Sequence, residues 1–119
     1  MPSILKFAPP TEAPDTDHPR EDRREVGNPE RRTWMRYQAD EAGMYAGIWE
    51  SDVGRWRIQM DPTEHEYFIV LSGRCRLHAE DGQFTEAGPG EALVIPAAFK
   101  GAFEVLEPLR KHFVIVVGK

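Results

Sequence analysis

The sequence predicts an all-β domain built as a sandwich or barrel. Short apolar or alternating runs recur with Gly, Pro and Asp turn signals between them, roughly every eight to twelve residues. No run has the period of a helix longer than a turn or two. At 119 residues the chain suits one domain with a single modest core. We therefore expect one β-rich unit and no second domain.

Charge and hydropathy limit the possible partners and the compartment. The net charge of -5 argues against nucleic acid, because binding phosphates needs a basic stripe. No apolar run approaches the ~20 residues that span a bilayer, so we expect no membrane partner. The start MPSILKFAPP is too weakly apolar for a secretory signal, and the single Cys75 cannot form an internal disulfide. These features predict a cytoplasmic protein.

Residues 1–32 are predicted to form an extended N-terminal arm, and residues 33–119 the barrel domain. The arm is dense in proline and mixed charge, so it cannot bury enough surface to offset its ordering entropy. Two interpretations stay open: a solvated extension, or an arm that lies across a partner subunit. The apolar residues Ile4, Leu5 and Phe7 prompt the second interpretation, because they need a surface to cover.

The first half of the barrel domain contains four predicted strands. Residues 33–40 alternate loosely and suit an outer strand. Residues 44–49 and 56–60 form a hairpin through a turn that ends at Gly54. After a turn at Asp61-Pro62, residues 67–71 form an apolar strand, which is expected to end at Ser72-Gly73.

The second half contains a hairpin followed by three more strands. In residues 74–80, Cys75 and Leu77 share one face, the period-2 pattern of a half-buried strand. Asp81-Gly82 is a strong hairpin turn, and its partner strand begins at residue 83. Three further strands are predicted, at residues 92–95 before Pro96, at 102–106, and at 112–117.

Two motifs resemble those of the cupin superfamily. Gly54, Glu66 and Gly73 fit the spacing of the first motif, and Gly90 through Pro96 to Gly101 fits the second. The segments GIWESDVGRWRI, EYFIVLSGRCRL, GPGEALVIPAAFKGAFEVLE and RKHFVIV resemble the small cupin branch that includes (S)-ureidoglycine aminohydrolase-type domains. This resemblance covers residues 44–117. It implies an RmlC-like double-stranded β-helix, a jelly-roll barrel, and a homodimer paired through edge strands.

The same resemblance implies a metal site whose histidines are missing here. Cupins take two histidines and a glutamate from the first motif and one histidine from the second. The two possible spacings place Met60 and Pro62, or Gln59 and Asp61, at the first two histidine positions. Gly101 occupies the third. We expect no cofactor, and keep Mn or Zn held by other ligands as a lesser alternative.

Strand alternation predicts which side chains line the barrel pocket. If Met60 points inward, Trp56 and Ile58 point inward with it, whereas an inward Gln59 would expel both. Burying two large apolar side chains stabilises by roughly 1.5 to 3 kcal/mol each, which favours the first register. The predicted ligand-binding residues are Trp56, Met60, Phe68, Val70 and Cys75, with Leu77 beside them.

Glu66 is the one acid of this apolar cup and, with Lys111, the candidate catalytic residue. Desolvation favours the protonated form of such a carboxyl group unless a cation or several donors reach it, which suits a general acid or base. Lys111 is the first candidate for its charge partner, and Arg57 the second. Alternatively, Glu66 is a relic of a metal site, held by a hydrogen bond to a tyrosine or arginine.

The remaining titratable side chains are weaker candidates. His65 neighbours Glu66 and should face the opposite way, while His18 lies in the arm and His78 among outward arginines. His112 could point inward. Cys75 lies on the apolar face of its strand and is expected to be a buried, inert thiol.

Three functions fit these features. One is an enzyme related to (S)-ureidoglycine aminohydrolase that acts on a small polar metabolite. Another is a non-catalytic module that binds a small-molecule ligand. The third is a structural dimer module that packs through an aromatic exterior. The aromatic residues expected outside are Trp34, Tyr37, Trp49 and Tyr67.

Overall fold

The computed structural model describes residues 1–118 and confirms the all-β prediction. Nine strands form one curled sheet, and the only helical segments in this described part are two single 3-10 turns, Glu21–Arg23 and Asp40–Ala42. The strands are β1 (Asp15–Asp17), β2 (Arg24–Val26), β3 (Arg31–Ala39), β4 (Met44–Ser51), β5 (Gly54–Gln59), β6 (Glu64–Ala79), β7 (Phe84–Ala87), β8 (Ala92–Ile95) and β9 (Lys100–Val117).

Strand β9 is the centre of the sheet, and all of its pairings are antiparallel. Its first half pairs with β5, its second half with β4, and nearly its whole length with β6. Strand β6 also pairs with β7 and β8, while β1 and β2 close the two ends of the path β1-β3-β4-β9-β5-β2. Because β6 and β9 each serve both halves, the sheet curls into a half-barrel with one concave face.

The prediction of separate strands on either side of Ser72-Gly73 is wrong. Strand β6 continues through Gly73 by a β-bulge, which bends the strand without ending it. Gly73 has a φ of 86°, and a Cβ there would overlap the Pro108 carbonyl oxygen, so glycine is required. Strand β9 bends beside it at Pro108, which has no cross-strand partner in the ladders of the described residues. The two expected strands 102–106 and 112–117 are therefore one.

The N-terminal extension packs against its own chain. Strand β1 pairs with β3, and β2 with β5. Trp34 Nε1 donates to the Glu12 carbonyl at 2.9 Å, and the Arg36 guanidinium binds the Glu12 carboxylate at 2.9 and 3.1 Å. The side-chain hydrogen bonding from Arg36 lowers the pKa of the Glu12 carboxyl group to about 2. The Phe7 ring lies edge-on to His112, with centroids 5.1 Å apart. Backbone pairing and ion pairs therefore order a segment that apolar burial alone would leave solvated.

The core fills the concave side of the half-barrel. Phe68, Val70 and Cys75 of β6 are fully buried there, in one cluster with Phe103 and Val105 of β9. The alternation predicted for residues 74–80 is confirmed, since Cys75 and Leu77 both face this core. Within residues 1–118, no helix has the length and apolar character needed to span a bilayer.

Candidate functional site

A cavity of 320 Å³ opens on the concave face, where β3, β4, β5, β6 and β9 converge. Its walls are mainly aromatic and aliphatic, and four polar residues enter it: Glu66, Lys111, Arg31 and Thr33. The walls include Trp49, Trp56, Met60, Phe103, Phe113 and Ile115.

The burial of β5 confirms the register in which Met60 points inward. Trp56 and Met60 are buried and line the cavity, whereas Arg57 and Gln59 are exposed and do not line it. Arg57 is therefore not the charge partner of Glu66, which lines the cavity from β6.

Lys111 is the cation that reaches Glu66. In the sheet Lys111 lies opposite Val70, and Glu66 opposite Ile115, so the lysine side chain runs along the inner face past Phe68. Lys111 Nζ donates to Glu66 Oε2 at 2.6 Å. The two side chains are only 5% and 13% exposed. Lys111 therefore supplies the positive charge that compensates the Glu66 carboxylate in this apolar cavity.

Three aromatic rings complete the surroundings of the ammonium group. Lys111 Nζ lies 4.2 Å from the ring centroid of Phe68, 4.5 Å from that of Trp49 and 5.0 Å from that of Phe103. Aromatic faces attract cations, more strongly where water is excluded. The carboxylate supplies the countercharge that the rings lack. Together they hold a lysine ammonium in a place where an unpaired charge would be costly.

Glu66 retains one free acceptor. Oε2 accepts from Lys111, while Oε1 has no hydrogen-bond partner among the described residues. No side-chain oxygen or nitrogen of residues 1–118 is both buried and unpartnered, so Oε1 is accessible from the cavity that Glu66 lines. The site therefore presents one carboxylate oxygen, next to a fixed positive charge, to whatever enters.

The other predicted ligand-binding residues lie deeper than the cavity. Phe68, Val70 and Cys75 have no exposed surface and belong to the core. Phe68 touches the site through the ammonium group above its ring and through Phe103, whose ring centroid lies 5.9 Å away. Burial raises the pKa of the Cys75 thiol to about 11, and the residue is a free cysteine, as expected of an inert thiol. Phe68, Val70 and Cys75 therefore form the part of the core that lies beneath Lys111 and Glu66.

Sequence reasoning misplaced Trp49 and missed seven further residues that line the cavity. Trp49 was expected outside, but it is the direct cross-strand partner of Lys111 and so shares its face. Trp49 packs on Trp56 and Phe103, at centroid distances of 6.2 and 5.6 Å. Only the β4–β9 register shows this, and no local pattern in β4 encodes that pairing. The missed residues are Arg31, Thr33, Met35, Ile95, Phe103, Phe113 and Ile115.

None of the histidines contacts Glu66 in the described structure. His112 faces the outer side against Phe7, so an inward position is wrong, and burial lowers its pKa. His78 bonds Glu104 at 2.8 Å on the outer surface, and His65 accepts from the Ala97 amide at 3.3 Å. His18 lies within reach of the Asn28 carbonyl oxygen at 3.2 Å.

The residues present do not fit the metal that the cupin fold implies. At the position of the third histidine, a Cβ added to Gly101 would overlap the carbonyl oxygen of His78 and lie 2.9 Å from the Phe99 ring. A histidine there would require the backbone to move. Residues 1–118 contain no group of three or more His, Cys, Asp or Glu placed to hold a metal ion. The cation beside Glu66 is the ammonium of Lys111 instead.

A family model and several solved structures match this chain. The model of the EutQ-like cupin domain matches residues 38–113. The EutQ protein of Clostridium difficile superposes with a TM-score of 0.66 at 21% identity, covering 85% of this chain and 80% of that one. A putative ethanolamine utilization protein Q from Salmonella typhimurium gives 0.65 at 17% identity, over 92% of this chain and 100% of that one.

A DUF861 family protein from Pseudomonas syringae gives a TM-score of 0.77 at 16% identity. That match covers 89% of this chain but only 45% of the other. At these identities the structures support the fold alone. No curated protein matches the chain.

The paired charges predict a strong energetic coupling between Lys111 and Glu66. Lys111→Met should lower the free energy of unfolding by about 3 to 5 kcal/mol, because it leaves the buried Glu66 carboxylate without a counter-ion. Glu66→Leu alone should also destabilise, while the double variant should recover most of the loss. Urea denaturation followed by circular dichroism measures all three.

The half-exposed pair of Arg110 and Glu50, 2.8 Å apart, provides the matched control. Arg110→Met should cost less than about 1 kcal/mol, since solvent screens such pairs. Single variants of the cavity pair that cost no more than this control, or a double variant less stable than both singles, would contradict the coupling.

Proposed function

The chain belongs to the EutQ-like cupin family, and we propose that its cavity binds a small organic ligand without a metal ion. In this proposal the ligand places an apolar or aromatic body against the cavity walls and donates a hydrogen bond to Glu66. The accessible Oε1 of Glu66, beside a carboxylate oxygen already neutralised by Lys111, is the observation that carries the proposal.

The walls favour a flat apolar body. Ligand pockets are typically lined by apolar and aromatic side chains with a few convergent polar groups, and span about 300 to 1,000 Å³. At 320 Å³ this cavity suits a ligand about the size of one substituted ring. The indole of Trp56 stacks nearly parallel on Phe103, at 5.2 Å and 8°, and leaves a fixed wall beside the pair.

Proton transfer is the second candidate function. The contact of 2.6 Å between Lys111 Nζ and Glu66 Oε2 allows Glu66 to take a proton from a ligand while the ammonium stabilises the remaining charge. The resemblance to (S)-ureidoglycine aminohydrolase adds small ureido acids as candidate substrates. Because the residues do not fit a metal, only a metal-independent reaction is proposed.

The cytoplasm is the proposed compartment, since a free cysteine suits a reducing environment.

Benzyl alcohol and toluene test the binding proposal, because they share a ring and differ in one donor. Trp49 and Trp56 line the cavity, so tryptophan fluorescence excited at long wavelength reports occupancy. We expect protein treated with EDTA to bind benzyl alcohol about three- to tenfold more tightly than toluene, as one hydrogen bond predicts. Added Mn²⁺ should change neither affinity.

The variant Glu66→Leu/Lys111→Met is the control, because it keeps the walls and removes the acceptor. It should bind the two probes equally. A requirement for Mn²⁺, or equal affinity of the unaltered protein for both probes, would contradict the proposal. If the unaltered protein converts a ureido acid to a product and the double variant does not, the result would favour the enzymatic function over ligand binding alone.

A second copy of this chain is the proposed protein partner. The outer face of β4, β6, β8 and β9 carries exposed apolar side chains in adjacent register. Phe7 packs against His112 on the same face, and the preceding Ile4 and Leu5 remain exposed. A two-fold dimer would let each arm cover the partner's apolar face. The exposed residues of this face are Met44, Tyr67, Val94 and Val116, with the half-buried Val114 between them.

Tyr67→Glu tests this dimer by placing a charge in the apolar face. Because Tyr67 is exposed, the substitution should leave the fold intact and convert a dimer into a monomer. Light scattering during size-exclusion chromatography measures the mass. Phe84→Glu, at an exposed phenylalanine on β7, is the control and should remain dimeric. A monomeric unaltered protein would exclude the dimer.

A further inference from the structure

Four arginines surround a smaller depression that adjoins the cavity. This arginine depression, of 210 Å³, is lined by Arg20, Arg23, Arg31 and Arg57 around Trp56 and Ile58. It shares Arg31, Trp56 and Ile58 with the cavity of Glu66. Among residues 1–118, no aspartate or glutamate lines it. A ligand body against Trp56 would therefore lie beside both spaces.

Two of the four guanidinium groups are already neutralised. Arg31 binds the Asp17 carboxylate at 2.9 and 2.6 Å, and its guanidinium lies 5.2 Å from the Trp56 ring centroid. Arg20 lies 3.6 Å from Asp22, with both side chains largely exposed. These contacts hold two arginines in ion pairs, one of them fixed against the cavity wall.

The other two guanidinium groups have no counter-ion in the protein. Arg23 and Arg57 form no ion pair and no side-chain hydrogen bond with the described residues. A guanidinium stays charged at all physiological pH values and matches carboxylate or phosphate oxygens with two parallel donors. Two unpaired guanidinium groups in one depression therefore form a positive site able to hold an anion.

The surroundings do not cancel this charge. A polar groove of 330 Å³ shares Arg20, Arg23 and Arg57 with the depression. It contains Asp22, Glu25 and Glu80 on its walls, and Glu25 is bound to Arg55 at 2.7 Å. The acids thus lie in the groove and the unpaired arginines where groove and depression meet. In a chain with a net charge of -5, such a concentration of arginines is a local feature.

Three of the four arginines of the depression lie outside the matched domain. Arg20, Arg23 and Arg31 precede residue 38, where the match to the family begins. They are held in place by the pairing of β1 with β3 and of β2 with β5. The extension that orders itself on the sheet thereby carries three arginines to the edge of the cavity.

We propose that the ligand of the cavity is an organic anion whose carboxylate or phosphate group is bound by Arg23 and Arg57. This inference rests on the proposed function and adds the chemical class of the ligand. The apolar body lies against Trp56 and reaches the cavity, while the anionic group lies in the arginine depression. Anion binding also joins the N-terminal extension to β5, since the two guanidinium groups come from these two parts of the chain.

Three probes with the same ring test the proposal: benzyl alcohol, benzoate and phenyl phosphate. Tryptophan fluorescence gives the affinity of each at low and at high salt. We expect both anions to bind at least about tenfold more tightly than benzyl alcohol at low salt, as hydrogen bonds to charged groups predict. Salt should remove most of this advantage and leave the affinity for benzyl alcohol unchanged. The ratio between the two anions distinguishes a carboxylate from a phosphate ligand.

The variant Arg23→Ala/Arg57→Ala should lose the preference for anions and bind benzyl alcohol within twofold of the unaltered protein. Arg74→Ala/Arg110→Ala is the matched control, because it removes the same charge at arginines that lie outside the depression. The control should keep the preference. Melting curves establish that both variants are folded.

The outcomes separate the two proposals. Benzyl alcohol binding without any preference for anions would overturn this inference and leave the proposed function standing. An equal loss of anion affinity in both double variants would also overturn it, since the effect would then be one of net charge. If none of the three probes binds, both the proposed function and this inference fail.

Discussion

The buried contact between Lys111 and Glu66 is the constraint on which the site depends. An ammonium and a carboxylate that are almost fully enclosed each cost several kcal/mol unless the other is present and well placed. The rest of the concave face is arranged to place them. The β6–β9 register puts Lys111 four residues beyond Glu66 along the sheet, and three aromatic rings from β4, β6 and β9 line the path between them.

This pair changes what the cupin fold can do here. The same strands that usually hold a metal keep their glutamate, but the steric closure of Gly101 and the apolar side chain of Met60 leave no set of ligands. The positive charge comes from the chain itself and needs no ion from solution. A fixed ammonium cannot act as a metal does, but its hydrogen bond to Oε2 holds the Glu66 side chain in place and leaves the other carboxylate oxygen without a protein partner among the described residues.

The sequence was sufficient for the all-β fold class and for the inward set of β5, because alternation over short strands is a local property. Glu66 and its partner Lys111 could be named from the same reasoning. Three features could not, since they arise from contacts between distant segments. The bulge at Gly73 joins two expected strands, the register of β4 turns Trp49 inward, and backbone pairing orders an extension whose composition suggested a solvated arm.

A crystal structure grown with excess Mn²⁺ tests the central claim most directly, because anomalous scattering locates manganese without ambiguity. The account predicts Lys111 Nζ within hydrogen-bond distance of Glu66 and no anomalous peak beside the carboxylate. A manganese ion bound to Glu66, with the lysine displaced from its aromatic rings, would contradict it.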